Sequence, residues 1–186
     1  MLKNLIKVIC VMGILGLSAC QNLPPVKTVA NVDVDRFMGD WYVIAAIPTF
    51  MERDPYNPLE HYDKNPDGSI ATTFTFNQGG LDGKLKTYHP TGFVVPGTGN
   101  AEWKMQFLWP FKSEYLIAYL SDDYQHTIIA RNKRDYVWLM SRQPAIDQAA
   151  FDKLAAKIKA LGYDLDKLEV FPHKNVIPPI KQPQSR

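Results

Sequence analysis

The stretch "GDWYVIAAI", residues 39–47, sets a glycine one residue ahead of a tryptophan and follows both with an apolar run that stops at Pro48. A tryptophan at the mouth of a strand is a large apolar surface that folding must cover. Gly39 lets the chain enter by a tight turn without side-chain conflict. An apolar run of this length, ended by proline, predicts a strand buried on both faces.

Working outward, the chain reads as short strand patterns between turn signals. "LEHYDK" runs into the turn "NPDG", and "SIATTFTFN" alternates Ile70, Thr72, Phe74 and Phe76 against Ala71, Thr73 and Thr75. "QGGLDGK" is a hairpin loop, and "KLKTYHPTGFVV" leads to the glycine turn "PGTGN". "AEWKMQFL" places Trp103, Met105 and Phe107 on one face and Glu102, Lys104 and Gln106 on the other, one face buried and one wet. "EYLIAYLSDD", "QHTIIARN" and "DYVWLMSR" add three more strands. About eight strands at this spacing predict an antiparallel barrel or sandwich.

One helix interrupts the pattern. In "PAIDQAAFDKLAAKIKALGY" Asp147 is the expected N-cap, Phe151, Leu154, Ala155, Ile158 and Leu161 form one stripe, and Gly162 stops it. The stripe must pack on the outside of a sheet, so the strands at Trp41–Ile47, "HTIIA" and "VWLM" are expected to be apolar on both faces. "KLEVF" supplies a short closing strand.

The first 19 residues have a charged start (Lys3, Lys7), an uncharged run and small residues at the end, the layout of a secretory signal and too short for a spanning helix. Its last segment, "LSAC", resembles the lipobox of bacterial lipoproteins. That resemblance implies an acylated Cys20 as the first mature residue, firmer in a bilayer than any single chain. Gln21 in place of aspartate resembles the outer-membrane sorting pattern. Residues 20–32 read as a tether, 33–172 as one domain and 173–186 as a proline-containing disordered tail.

Chemistry is sparse. With Cys10 in the signal and Cys20 acylated, the domain holds no disulfide, thiol nucleophile or cysteine metal site. Without Lys3 and Lys7, the remaining Lys and Arg balance the 19 Asp and Glu, so no nucleic acid is implied. His61, His89, His126 and His173 lack metal-ligand spacing and read as surface or rim residues, and no cofactor is expected. No serine stands in a nucleophile elbow. Asp122 and Asp123 read as turn residues.

The assembled features resemble the lipocalins. Three pieces carry the likeness: Gly39-Asp40-Trp41 at the first strand, Asp123-Tyr124 in the turn between the sixth and seventh strands, and Arg142 in "MSRQP" at the end of the eighth. "FLWPF", "DYVWLMSRQP" and the lipobox narrow the match to bacterial lipocalins, outer-membrane lipoproteins related to apolipoprotein D. The resemblance implies an all-β, eight-stranded antiparallel up-and-down barrel with a ligand cup, one C-terminal α-helix and a ninth strand. Where many relatives of this branch carry glutamate, this chain has Val43, which implies a less polar cavity floor.

Within such a barrel Trp41 plugs the closed end, and Arg142 can lie on its indole face, a contact of about 0.5–2 kcal/mol. The cavity candidates are Phe74, Phe76, Tyr88, Trp103, Met105, Phe107, Tyr115, Ile117 and Tyr119, although a barrel of this size can equally be packed solid. Residues 49–58, "TFMERDPYNP", form the long loop expected to cover the open end, where Arg53 can meet a carboxylate or phosphate. The resemblance implies non-covalent binding of a fatty acid or lysophospholipid by a periplasm-facing protein anchored to the outer membrane, in envelope maintenance or stress. A homodimer is left open. The alternatives are an enzyme acting on a lipid or isoprenoid inside the barrel, and an interaction module with a filled barrel.

Overall fold

A computed structural model describes residues 23–174. The expected signal segment, Cys20 and residues 175–186 lie outside the described residues. A four-residue helix α1 (Val34–Phe37) comes first, followed by β1 (Gly39–Ile47), β2 (Pro55–Lys64), β3 (Ile70–Gln78), β4 (Lys84–Tyr88) and β5 (Thr91–Val94). Then come β6 (Glu102–Leu108), β7 (Phe111–Leu120), β8 (His126–Ala130), β9 (Val137–Ser141), helix α2 (Gln148–Ala160) and β10 (Glu169–Val170). β4 and β5 are the two halves of one barrel strand, both pairing with β3 and interrupted at His89-Pro90. Proline cannot donate to the ladder, which explains the break. The strands run in order β1-β2-β3-β5-β6-β7-β8-β9, and β9 pairs back onto β1, Tyr42 opposite Ser141 and Ile47 opposite Val137, so the sheet is a closed eight-stranded barrel.

Two cores share the wall between them. Trp41, Val43, Ile129 and Met140 face inward. Ile44, Ala45, Ile128, Val137 and Leu139 face outward, under Phe151, Leu154, Ala155 and Ile158 of α2. This is why the three strands lack polar alternation. Asp147 caps α2, its Oδ1 accepting from the Ala150 amide at 2.7 Å. β10 pairs with β1 at Ala45–Val170.

The ends of the described segment, residues 23–32 and 173, differ from expectation. Residues 23–32 are no free tether but run down the outside of the barrel: the Val26 amide donates to Asn132 Oδ1, Val29 N to Ile117 O and Val32 N to Gly99 O. Gly99 (φ +60°) is required here, since a Cβ would stand 2.0 Å from the Ala30 carbonyl oxygen. His173, expected in the tail and at the surface, is buried with Nε2 3.0 Å from the Val43 carbonyl oxygen. Burial holds its pKa below the ordinary value.

The two ends of the barrel differ in charge. At the closed end Asp33, Asp35, Asp40, Asp63, Asp67, Asp122 and Asp123 are exposed against exposed Arg36 and Lys64 and half-buried Arg142. At the open end Arg53, Lys84, Lys112, Lys133 and Lys167 are exposed against Asp54, Asp82, Asp164 and Asp166, so the acidic excess is confined to the closed end.

Candidate ligand cavity

The closed end is built from the first quoted motif. Asp33 caps α1, its Oδ1 accepting from Arg36 N at 3.1 Å, and the short helix drops Phe37 onto the barrel floor. Gly39, at φ +89°, turns the chain into β1 where a Cβ would meet Arg142 Nη1 at 3.5 Å. Trp41 is fully buried against Phe37, ring centroids 5.0 Å apart, and its Nε1 donates to the Phe37 carbonyl at 2.9 Å. The Arg142 guanidinium lies 3.9 Å from the indole centre. Its Nη atoms donate to the carbonyls of Asp40 (2.7 Å), Arg36 (2.9 Å) and Phe37 (3.0 Å). Nearby, Ser121 Oγ and Gln125 N donate to Asp123 Oδ1, and Asp33 N donates to the Tyr124 hydroxyl. Every one of these groups seals the floor and closes a turn.

Above that floor lies a cavity of about 120 Å³, lined by Phe74, Met105, Phe107, Tyr115 and Glu60 among others, with Thr49, Phe50 and Met51 of the β1–β2 loop at its mouth. A side space of about 20 Å³ adds Glu52 and Tyr88. The cavity candidates therefore separate by depth. Phe74, Tyr88, Met105, Phe107 and Tyr115 line the space. Phe76, Trp103 and Ile117 are buried in the inner core and line neither space. Tyr119 lies outside the barrel, in the α2 layer with Lys157 Nζ 4.5 Å over its ring. A register shift between Ile117 and Tyr119 reverses the alternation there, and no composition signal marks it.

The floor is also more polar than Val43 implied. Val43 is buried in the inner core, but Glu60 of β2 projects into the cavity and accepts from the Tyr62 hydroxyl, which in turn lies 2.7 Å from that of Tyr115. Glu60 is half-buried and lines the cavity. Burial, with a contribution from Glu52, raises its pKa to about 8, and the group is neutral at pH 7. Tyr115 is likewise held well above its ordinary pKa by burial and by Glu60. Glu52, in the loop, accepts from Trp138 Nε1 (3.0 Å) and Thr49 N (2.7 Å), and burial raises its pKa also. Glu60 was legible in principle, because it shares the β2 parity of Tyr62.

At the mouth, Arg53 points away: it is exposed, with Nε 3.3 Å from the Phe50 carbonyl oxygen. Arg131 takes its place. This residue lines the cavity, pairs with Asp135 at 3.3 Å, and keeps a buried Nε with no hydrogen-bond partner among the described residues. Thr72 Oγ1, on the same cavity wall, is unpartnered in the same way. Both are polar atoms waiting for an acceptor or donor from within. Among the described residues no His, Cys, Asp and Glu cluster could hold a metal ion. No helix among them is long and apolar enough to cross a membrane.

Comparison with known proteins agrees with this geometry. Residues 32–173 match the family model described as a lipocalin-like domain. The chain is 29% identical over 161 residues to temperature-induced lipocalin-1 of Arabidopsis thaliana, covering 82% of this chain and 85% of that protein. It is 27% identical over 154 residues to the outer membrane lipoprotein Blc of Escherichia coli K12, covering 80% and 85%. Among solved structures, insecticyanin of Manduca sexta superposes with a TM-score of 0.65 at 16% identity, over 82% of this chain and 86% of that one, a likeness of fold.

Proposed function

We propose, from the premise that this chain belongs to the lipocalin family, that its cavity takes the acyl chain of a fatty acid or lysophospholipid, with the anionic head at Arg131. The observation that carries the reading is the cup itself: sealed below by Trp41, apolar along Phe74, Met105 and Phe107, and furnished at the rim with an unpartnered guanidinium nitrogen. A neutral Glu60 at pH 7 removes a charge from the deeper part of the cup, which favours an acyl chain there. The 49–51 segment moves aside as the chain enters, since the space beneath it is only about 120 Å³.

The cellular setting belongs to the same reading. Residues 1–19 direct export, Cys20 is acylated, and the protein holds lipids at the outer membrane for storage or transport in envelope maintenance. The likeness to the outer membrane lipoprotein Blc supports this setting. The test is a displacement titration with fatty acids of increasing length. Each methylene contributes about 0.8 kcal/mol, so affinity rises roughly fourfold per carbon until the cup is full. Affinity that stays flat from short to long chains overturns the acyl-pocket reading.

A further inference from the structure

Every large apolar side chain left exposed among the described residues lies at the open end of the barrel or along its rim. Phe50 (73% exposed) sits on the β1–β2 loop, while Leu108 (70%), Trp109 (81%) and Phe111 (73%) form the tip of the β6–β7 hairpin. Leu23, Leu85 and Phe107 lie on the same side. Soluble surfaces carry scattered apolar residues, but a patch gathered at one end marks an interaction site. The cations Arg53, Lys84, Lys112 and Lys133 fringe it beside Asp54, Asp82, Asp164 and Asp166, while seven exposed aspartates lie at the opposite end. Lys112 rests its ammonium 3.5 Å over the Phe93 ring at the barrel side.

We propose that this rim docks on an anionic lipid bilayer, with Trp109, Phe111, Leu108 and Phe50 in the interface and the cavity mouth facing the lipid. Tryptophan is the side chain best suited to that depth, with an apolar body and a polar N–H. Each fringing cation adds attraction to an anionic leaflet within a Debye length. The acidic closed end is repelled by the same surface, so the charge polarity fixes the orientation.

The start of the described chain points the same way. Pro24 is tied to the rim, its carbonyl accepting from Arg134 Nη2 at 2.7 Å, and Val26 is bonded to Asn132 in the same turn. Two residues, Gln21 and Asn22, lie between Cys20 and Leu23, three Cα steps and so a leash of at most about 11 Å. The closed end stands a nine-residue strand away, roughly 30 Å. A leash that short cannot bring the closed end to the bilayer. This last argument rests on the acylation of Cys20 proposed above; the apolar tip and its basic fringe stand without it.

The experiment places the full chain on vesicles of three parts phosphatidylethanolamine to one part phosphatidylglycerol and reads tryptophan quenching by brominated lipid. The Trp109 signal is taken as the difference from Trp109→Phe. A second reporter, Asp122→Trp in the Trp109→Phe background, marks the closed end. Expected is a loss of roughly half the Trp109 emission and almost none at position 122, as for an aromatic at the interface and one far outside it. Equal quenching at both positions, or none at Trp109 while the protein stays on the vesicle, overturns the proposal. So does a rim-to-rim dimer in sedimentation that Trp109→Ser with Phe111→Ser dissolves. Acyl-chain titration of the Trp109→Phe chain in the absence of vesicles reports on the cavity alone, because Trp109 lines neither space; the two readings therefore fail separately.

Discussion

The two ends of this barrel are built on opposite principles. At the closed end nearly every polar group has a partner: Arg142 serves three carbonyls and an indole, Trp41 serves a fourth contact, and Tyr124 and Asp123 tie the neighbouring turn. At the open end large apolar side chains face outward, and Arg131 keeps an unpartnered guanidinium nitrogen beside the cavity. Mutual satisfaction makes the first end a fixed floor. The second end has spare bonding capacity, and spare capacity is what a ligand or a surface can use.

If that contrast is right, the largest losses of stability come from the floor. Trp41→Ala leaves a void under Phe37 and an unopposed guanidinium, and should cost about 3–5 kcal/mol, or roughly 10 °C in the melting temperature. An unchanged melt breaks the plug argument. Arg142→Met keeps apolar bulk over the indole but abandons three carbonyls, and calorimetry should show a loss of about 2–4 kcal/mol.

Glu60 tests the contrast at mid-depth. Folded, its carboxyl keeps its proton to about pH 8; unfolded, it releases it near the ordinary 4.5. The folded state thus binds the extra proton between these values, and stability falls as pH rises through that window, then levels. Glu52, Tyr88, Glu114, Tyr115, Arg131 and Tyr136 line the same spaces; Glu52 acts in the same direction and Glu114 in the opposite one. The wild-type melting temperature should drop about 5–10 °C more than that of Glu60→Gln between pH 5 and 8.5. Parallel melting curves for the two chains would place Glu60 in water.

At the rim the effects move from stability to binding. Arg131→Gln should weaken an anionic acyl lipid about tenfold, by titration, with the melt little changed. Smallest of all, Trp109→Ser with Phe111→Ser should stay within about 0.5 kcal/mol of wild type in urea unfolding, because neither side chain is covered. A large loss there means that the hairpin tip packs somewhere.

The same division decides what the sequence discloses. The floor is legible because its parts are local: Gly39 and Trp41 lie two residues apart, and Trp103 and Met105 keep strict parity within one strand. α2 is legible for the same reason, its cap and stripe falling within one continuous segment. The rim is harder to read. Phe107 continues the inward parity of Trp103 and Met105, yet the strand outruns the wall and leaves it 46% exposed. Tyr119 breaks parity at a register shift that depends on its pairing with β8. Residues 23–32 read as linker because their hydrogen bonds go to distant backbone, at Gly99 and Ile117. Arg131 becomes a candidate only once folding shows which of its nitrogens has no partner.

The segment from Leu23 to Val32 has one further consequence, a mechanical one. It lies along the barrel axis, with bonds to Asn132, Ile117 and Gly99 set crosswise to its direction. A pull on Leu23 outward past the rim therefore loads those bonds together in shear rather than unzipping them one by one. Force arriving at the start of the domain is shared along the height of the wall before it reaches the helix that holds Phe37 over the plug.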